Sequence, residues 1–313
     1  MNNQPFTTQI LPQKGIINFG IGQPDPTVLP LAEMQQAAAH RLAKGDCDLL
    51  NYGYESGDGF FRQALANLLS KNYGKPVNPA HLFTTGSASH GLDLLCTLLT
   101  QAGDTVLVEE PTYFLVYQIF KDRHLNVVSV PFKENGYDFE AIEDAVKKHK
   151  PKFFYTIPAF QNPATHSISA EDKQQLVQLS QSLGFYIVAD EVYQLLGYSE
   201  TPPPPFGDLI DAETVFSVGT FSKILAPGLR LGWIQTAPKF IEQLATLGVL
   251  ISGGGLNHFT SNIVTSMIEL GLQEDYLNRL KAIYGRRVNL MDSMLKSHFG
   301  NETNHIYEKP GGG

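Results

Sequence analysis

The chain has 313 residues, 42% of them hydrophobic and 17% charged, with a formal net charge of −8. That length and balance suit a soluble protein with a sizeable buried core, as one large domain or a large domain with a smaller partner. The net charge also argues against nucleic-acid partners, because binding a phosphate backbone needs clustered Lys and Arg. The densest basic groups here (Lys147, Lys148 and Lys150; Arg286 and Arg287) read as solvated helix surface.

The opening residues, MNNQPFTTQILPQKG, lack a basic start followed by an apolar run, so no signal peptide is expected. No stretch is long and apolar enough to cross a bilayer, so no membrane partner is expected. Two cysteines, Cys47 and Cys96, are too few and too far apart for a disulfide framework or a zinc knuckle. Cys96 reads as core, and a reducing, cytoplasmic setting is the expectation. The nine histidines show no metal-ligand spacing, so no metal site is expected.

From about Pro79 onward, apolar runs of strand length alternate with segments of helical period. "HLFTTG" leads into "SASHGLDLLCTLLTQAG", where Leu92, Leu95, Leu98 and Leu99 share one helical face. "DTVLVEE" and "LNVVSVPF" read as strands, and Asp138 as the N-cap of a helix through Phe139, Ile142, Ala145 and Val146. "KFFYTIP" is the next strand. Ser169 and Asp172 form a capping box before "KQQLVQLSQSLG", with Gly184 as its C-cap. "FYIVAD", "TVFSVG" and "RLGWIQ" complete the strands. The proline run 202–205 and the segment "GGGLNH" (253–258) read as loops. From about Gln273 to Phe299 one long helix is expected, with Tyr276, Leu277, Leu280, Tyr284, Val288 and Met291 inward.

Apolar strands separated by amphipathic helices imply an α/β fold with a mostly parallel sheet covered on both faces. In such sheets ligands collect at the carboxyl ends of the strands. The polar junctions there are Gly86–Ser89, Glu110–Tyr113, Pro158–Asn162, Asp190–Tyr193 and Gly219–Lys223.

Lys223 follows a strand among Ser and Thr, with Arg230 seven residues on. Such a lysine forms a Schiff base with an aldehyde while Thr220, Ser222 and Arg230 hold a phosphate; the plain alternative is a surface lysine in a polar loop. Asp190 ends an apolar strand, where a carboxylate needs a partner, and a protonated pyridine nitrogen is one. A helix N-cap is the other reading. Tyr193 and Asn162 are placed to serve a phenolic oxygen on the same ring. The backbone N–H groups of Ser87, Ala88 and Ser89, at a helix start, suit a phosphate. Tyr113 is placed to stack on an aromatic cofactor, or simply to pack.

Together these segments resemble the fold-type I pyridoxal-phosphate enzymes of the class I/II aminotransferase superfamily, in the branch with 2-aminoadipate aminotransferases and the effector domains of MocR-type regulators. The resemblance runs in order through "INFGIGQPDPTVLP" (17–30), "YGYESG" (52–57), "TTGSASHGLDLL", "VEEPTY", "FQNPAT", "VADEVY", "FSKILAPGLRLGW" and "EKPGG" (308–312). It implies pyridoxal 5'-phosphate as cofactor, bound to Lys223, which afterwards moves the substrate's Cα proton. Asp190 then pairs with the ring nitrogen, and Asn162 and Tyr193 with the ring oxygen. Arg230, Ser222, Thr220 and the 87–89 amides hold the phosphate, and Tyr113 the ring face. Gly22 and Asn162 line the substrate pocket. Tyr52 reaches the neighbouring subunit's phosphate, implying a homodimer with shared sites.

The resemblance also implies a three-layer α/β/α large domain over 46–270, the PLP-transferase type I fold. An N-terminal arm and the start of the small domain precede it (1–45), and a linking helix with an incomplete small domain follows (271–313). Two departures stand out: "GSASHG" replaces a more polar phosphate loop, and family members continue beyond "PGGG" into the part that carries the substrate-carboxylate arginine. The expectation is a chain that binds cofactor better than it turns over substrate. The leading reading is exchange of an amino group between an amino acid and a 2-oxo acid. A carbon–sulfur β-lyase and a non-catalytic effector module are the alternatives; no helix-turn-helix precedes Asn18.

Overall fold

The computed structural model describes residues 15, 22–133, 136–300 and 309–313. Residues 17–21 of the 17–30 segment, Asn18 among them, and Glu308 of the 308–312 segment lie outside the described residues.

Eight strands form one sheet: β1 (Leu82–Thr85), β2 (Thr105–Glu110), β3 (Asn126–Lys133), β4 (Gly136–Tyr137), β5 (Phe153–Thr156), β6 (Tyr186–Asp190), β7 (Val215–Thr220) and β8 (Gly232–Thr236). Their order is β1-β8-β7-β6-β5-β2-β3-β4. The central run from β7 to β3 is parallel throughout. β8 is antiparallel to both its neighbours, which points β1 the same way as β7. β4 is a two-residue edge strand that the sequence pattern did not mark.

The carboxyl ends of β1, β2, β5, β6 and β7 therefore lie along one edge. The order reverses between β2 and β5, since β3 lies beyond β2 while β6 and β7 lie on the far side of β5. Such a switch point opens a crevice between diverging connections.

The main helices are α1 (Leu31–Leu42), α2 (Gly59–Tyr73), α3 (Ala88–Leu99), α4 (Val116–Asp122), α5 (Phe139–His149), α6 (Ala170–Leu183), α7 (Phe221–Ile224), α8 (Pro238–Ala245), α9 (Gly248–Gly253), α10 (His258–Glu269) and α11 (Leu272–Phe299). Period-2 alternation splits the strands between two cores. Val106, Val108, Phe153 and Tyr155 pack with Leu92, Leu95 and Phe120 from α3 and α4. Leu107, Phe154 and Ile187 face the other way, onto Ile142 of α5 and Leu176 of α6. Sheet and helices thus make the expected three layers. A third core joins α1, α2, α10 and the first half of α11 to Trp233 of β8.

The expected N- and C-caps hold, although Asp172 turns its carboxyl to the Tyr137 N–H instead of closing the capping box on the Ser169 N–H. Asp138 accepts from the Ala141 N–H at 3.1 Å and Ser169 from the Asp172 N–H at 3.0 Å, while Gly184 takes the left-handed φ of 74° that ends α6. Cys96 is buried, as expected of a core residue. The proline run is fastened from beneath: Gln194 Nε2 donates to the Pro203 carbonyl at 2.8 Å, and buried Lys173 donates to Pro204 at 2.9 Å.

One expectation along α11 needs correction. Met291 is 49% exposed, not inward, as are Leu290 and Met294 beside it. The residues that bury α11 into the third core stop at Leu280, with Tyr284 partly covered, so the helical stripe continues past the elements that cover it. Arg287 lies on exposed helix surface as expected, and from there it donates to Asp25 Oδ2 at 2.7 Å, tying α11 to the 22–25 segment.

Candidate active site

The edge formed by the strand ends gathers most of the residues singled out from the sequence. At its centre, Asp190 closes β6. Its Oδ2 accepts from the Tyr155 hydroxyl at 2.6 Å, while its Oδ1 is shut off from solvent and has no hydrogen-bond partner among the described residues. Burial pushes the Asp190 carboxyl up to about 6, against the lowering effects of Tyr155, the Val192 N–H and the Lys223 charge. A buried carboxylate oxygen without a donor is a costly arrangement that a cationic N–H would relieve.

Lys223 lies in α7, the short turn that follows β7. Its Nζ sits 6.0 Å from the centroid of the Tyr193 ring. Burial lowers the Lys223 pKa and the Asp190 charge raises it, with burial the larger effect. The amine is thereby moved toward its neutral, nucleophilic form. Tyr193 and Asn162 meet, Nδ2 to hydroxyl, at 3.5 Å. Burial lifts the Tyr193 hydroxyl to about 12, so it stays protonated and able to donate. Tyr113 is half-buried, its pKa raised by burial and then by Asp190.

The phosphate-binding candidates converge at the neighbouring strand ends. Ser87 caps α3 with its side chain accepting from the His90 N–H at 3.2 Å, at a positive φ of 143°. The first N–H groups of the helix, at Ala88 and Ser89, have no helical acceptor of their own. Gly232 is registered with both Thr85 and Thr220. A Cβ there would fall 2.7 Å from the Gly219 carbonyl oxygen and 2.8 Å from the Ser87 carbonyl carbon. Only glycine lets β8 approach that closely, which brings Arg230 and the end of β7 beside the start of α3. Thr220 is buried, its hydroxyl 3.1 Å from the Leu231 carbonyl and 3.0 Å from the Ser222 hydroxyl. Arg230 is exposed and close enough to α3 to help lower the His90 pKa, after the larger effect of burial.

Gly22 lines a cavity of about 330 Å³ together with Lys223, Tyr193, Tyr198, Tyr284 and Gly313. Tyr52 stands apart from this cluster, 83% exposed on a segment joined to Gly255 through Gly53. The 253–258 loop is held there, and Asn257 Nδ2 donates to the Arg230 carbonyl. No group of His, Cys, Asp or Glu suited to a metal ion occurs among the described residues.

Three buried polar residues escaped the sequence reading. Tyr155 holds Asp190, as above. Glu191 accepts from the Phe206 N–H at 2.7 Å and from the Ser217 hydroxyl at 2.6 Å, fastening the loop behind the site. Glu109 accepts from the Ile157 N–H at 3.0 Å and from Gln161 Nε2 at 3.2 Å. Each acid stands next to another acid in the chain, Glu110 or Asp190, and nothing local tells which partners it meets. Tyr155 reads as an ordinary core aromatic within "KFFYTIP".

The family model for aminotransferase class I and II matches residues 14–308. The chain belongs to that family. It is 31% identical over 287 residues to an aromatic-amino-acid aminotransferase of Thermococcus litoralis, covering 90% of this chain and 68% of the relative. Its fold superposes with a TM-score of 0.83 on the crystal structure of LysN, an α-aminoadipate aminotransferase of Thermus thermophilus complexed with N-(5'-phosphopyridoxyl)-L-leucine. That match is 27% identical and covers 96% of this chain and 75% of LysN. The chain is also 25% identical to the HTH-type transcriptional regulator YdfD of Bacillus subtilis, over 90% of its own length and 58% of the regulator's.

Pyridoxal phosphate is the cofactor of this family, and the residues fit it. The unpartnered Asp190 Oδ1 suits the protonated ring nitrogen, the Asn162–Tyr193 pair suits the ring oxygen, and the start of α3 with Arg230 suits the phosphate.

Proposed function

We propose that this class I/II aminotransferase exchanges an amino group between an L-amino acid and a 2-oxo acid, with Lys223 carrying pyridoxal phosphate. The observation that carries the reading is a lysine whose pKa burial lowers, within reach of the charge of a buried carboxylate that has one oxygen unsatisfied. When bound, the cofactor supplies a protonated ring that accepts the electron pair left when the substrate's Cα gives up its proton.

The chain's own residues do the rest. Lys223 Nζ would take the proton from the substrate's Cα and carry it to the cofactor, a role that suits an amine whose pKa burial lowers. Asp190, ionised above about pH 6, keeps its cationic partner charged. Tyr193 and Asn162 donate to the ring oxygen. Arg230, Ser222, Thr220 and the N–H groups of Ser87, Ala88 and Ser89 anchor the phosphate, which fixes the reacting carbon against Lys223. Tyr113 covers the ring face, and Gly22 and Asn162 border the substrate.

We assign the active form to a homodimer in which Tyr52 reaches its partner's phosphate. Leu50, Tyr52, Tyr54, Phe60 and Phe114 are 62–83% exposed, apolar surface that a second copy would cover. Tyr52→Phe is expected to weaken cofactor affinity about tenfold, the loss of one hydrogen bond to a charged group. A wild type that sediments as a monomer, or a Tyr52→Phe variant that binds cofactor as tightly as wild type, would refute the shared site.

A second reading, a cofactor-binding module without turnover, draws on the likeness to the regulator YdfD. Steady-state kinetics with paired amino acids and 2-oxo acids separate the two. Parallel double-reciprocal lines are expected from a cofactor that alternates between two forms. A chain that binds cofactor and turns over none of the pairs would favour the module.

A further inference from the structure

Glu109 has no part in the mechanism above, although it is a buried acid at the edge of the site, 1% exposed. It lies near the end of β2, on the rim of the crevice opposite β5. Its Oε1 accepts from the Ile157 N–H at 3.0 Å and from the Thr156 hydroxyl, and its Oε2 accepts from Gln161 Nε2 at 3.2 Å. Thr156 is itself 2.6 Å from the Tyr137 hydroxyl; having given its proton to Glu109, it accepts from Tyr137. Every hydrogen-bonding neighbour of the carboxylate is therefore a donor, while the nearby Asp190 charge adds to the burial that raises its pKa.

Gln161 passes this constraint to two loops. Its Nε2 also donates to the Pro111 carbonyl at 2.7 Å, and its Oε1 accepts from the Ala164 N–H at 2.7 Å. Asn162 sits between Gln161 and Ala164, and Tyr113 two residues beyond Pro111. One buried acid thus ties together the turn that presents Asn162 and the turn that presents Tyr113.

We propose that Glu109 is a positioning residue for the cofactor site, a buried carboxyl group that holds the Asn162 and Tyr113 loops by accepting from Gln161. The chemistry explains why an acid is kept there. An amide at 109 would face its NH₂ either toward the NH₂ of Gln161 or toward the Ile157 N–H. Rotating Gln161 to escape would turn its oxygen toward the Pro111 carbonyl and its NH₂ toward the Ala164 N–H. Burial also makes the charge expensive, pushing Glu109 up to about 7, so a neutral residue would suit the fold better if packing were the only requirement.

This inference rests on the cofactor reading above, and one titration separates the two. The visible absorbance of the protein loaded with pyridoxal phosphate is followed against pH for wild type, Glu109→Gln, Gln161→Ala and the double variant. Cofactor affinity is measured by calorimetry, and melting of the cofactor-free proteins serves as the control. Loosening Asn162 removes a donor from the ring oxygen. The midpoint is expected to rise by about one pH unit and affinity to fall about tenfold in each single variant, with no further change in the double variant. If Glu109→Gln does not fold, Glu109→Asp, which keeps the acid but draws it back from Gln161, takes its place. Wild-type midpoints and affinities in both single variants, with only the melting temperature lowered, would overturn the positioning role and leave the cofactor reading intact. A wild-type protein that binds no cofactor would sink both.

Discussion

Lys223→Ala is expected to lower transamination by at least about 10⁴-fold, the upper range for losing a positioned acid–base group, with covalent attachment lost as well. Borohydride should fix a yellow cofactor onto the wild-type chain and leave Lys223→Ala unlabelled. The variant should still fold and bind the cofactor noncovalently, because Asp190, Arg230 and the start of α3 remain. Truncation leaves a space where Nζ stood, beside the Tyr193 ring. A small primary amine added at millimolar concentration should therefore restore part of the rate, while the alcohol of equal size should not. Turnover within tenfold of wild type, or a borohydride label on another lysine, would refute the assignment.

Asp190→Asn is expected to separate stability from function. The folded pKa of Asp190 is raised from 3.8 to about 6. The folded protein therefore holds this proton more tightly than the unfolded chain does. The stabilisation this gives is complete below about pH 4 and is lost as pH rises through about 6. Above that, the ionised group costs the cofactor-free protein about 3 kcal/mol at about 1.4 kcal/mol per pH unit, an order-of-magnitude figure. Asparagine is isosteric, keeps an acceptor for Tyr155 and carries no charge. Cofactor-free Asp190→Asn should accordingly be more stable than wild type in urea at pH 8, and the gap should close by pH 4. Activity should move the other way. Removing one member of a buried charge pair costs about 4 kcal/mol, or about 10³-fold in rate. A variant that is destabilised at pH 8, or that turns over at the wild-type rate, would show that Asp190 serves packing rather than charge.

This trade-off accounts for what could be read in advance. Lys223, Asp190, Asn162 and Arg230 stand at strand ends, where an apolar run breaks into polar residues, and that break is visible along the chain without any knowledge of contacts. The three layers were legible for the same reason, since helical and strand periods alternate through the whole central region. Caps at Asp138, Ser169 and Gly184 follow from interactions within four residues, which makes them local by nature.

Tyr155, Glu109 and Glu191 were not legible, because their partners lie far off in sequence: Tyr155 meets Asp190 across 35 residues, and Glu109 meets Gln161 across 52. Met291 misled in the opposite sense. Helical periodicity shows which face is apolar but not whether another element covers it, and α11 outruns its cover. The sequence by itself determined the family, the strand-and-helix order and the residues at the chemical edge, since each depends on local pattern or on motifs read in order. Tertiary structure alone decided that Asp190 keeps one oxygen without a donor, that Lys223 is desolvated beside it and that a buried acid braces the two facing loops. Burial and hydrogen-bond satisfaction belong to the packed molecule, because both are set by what distant segments bring into contact.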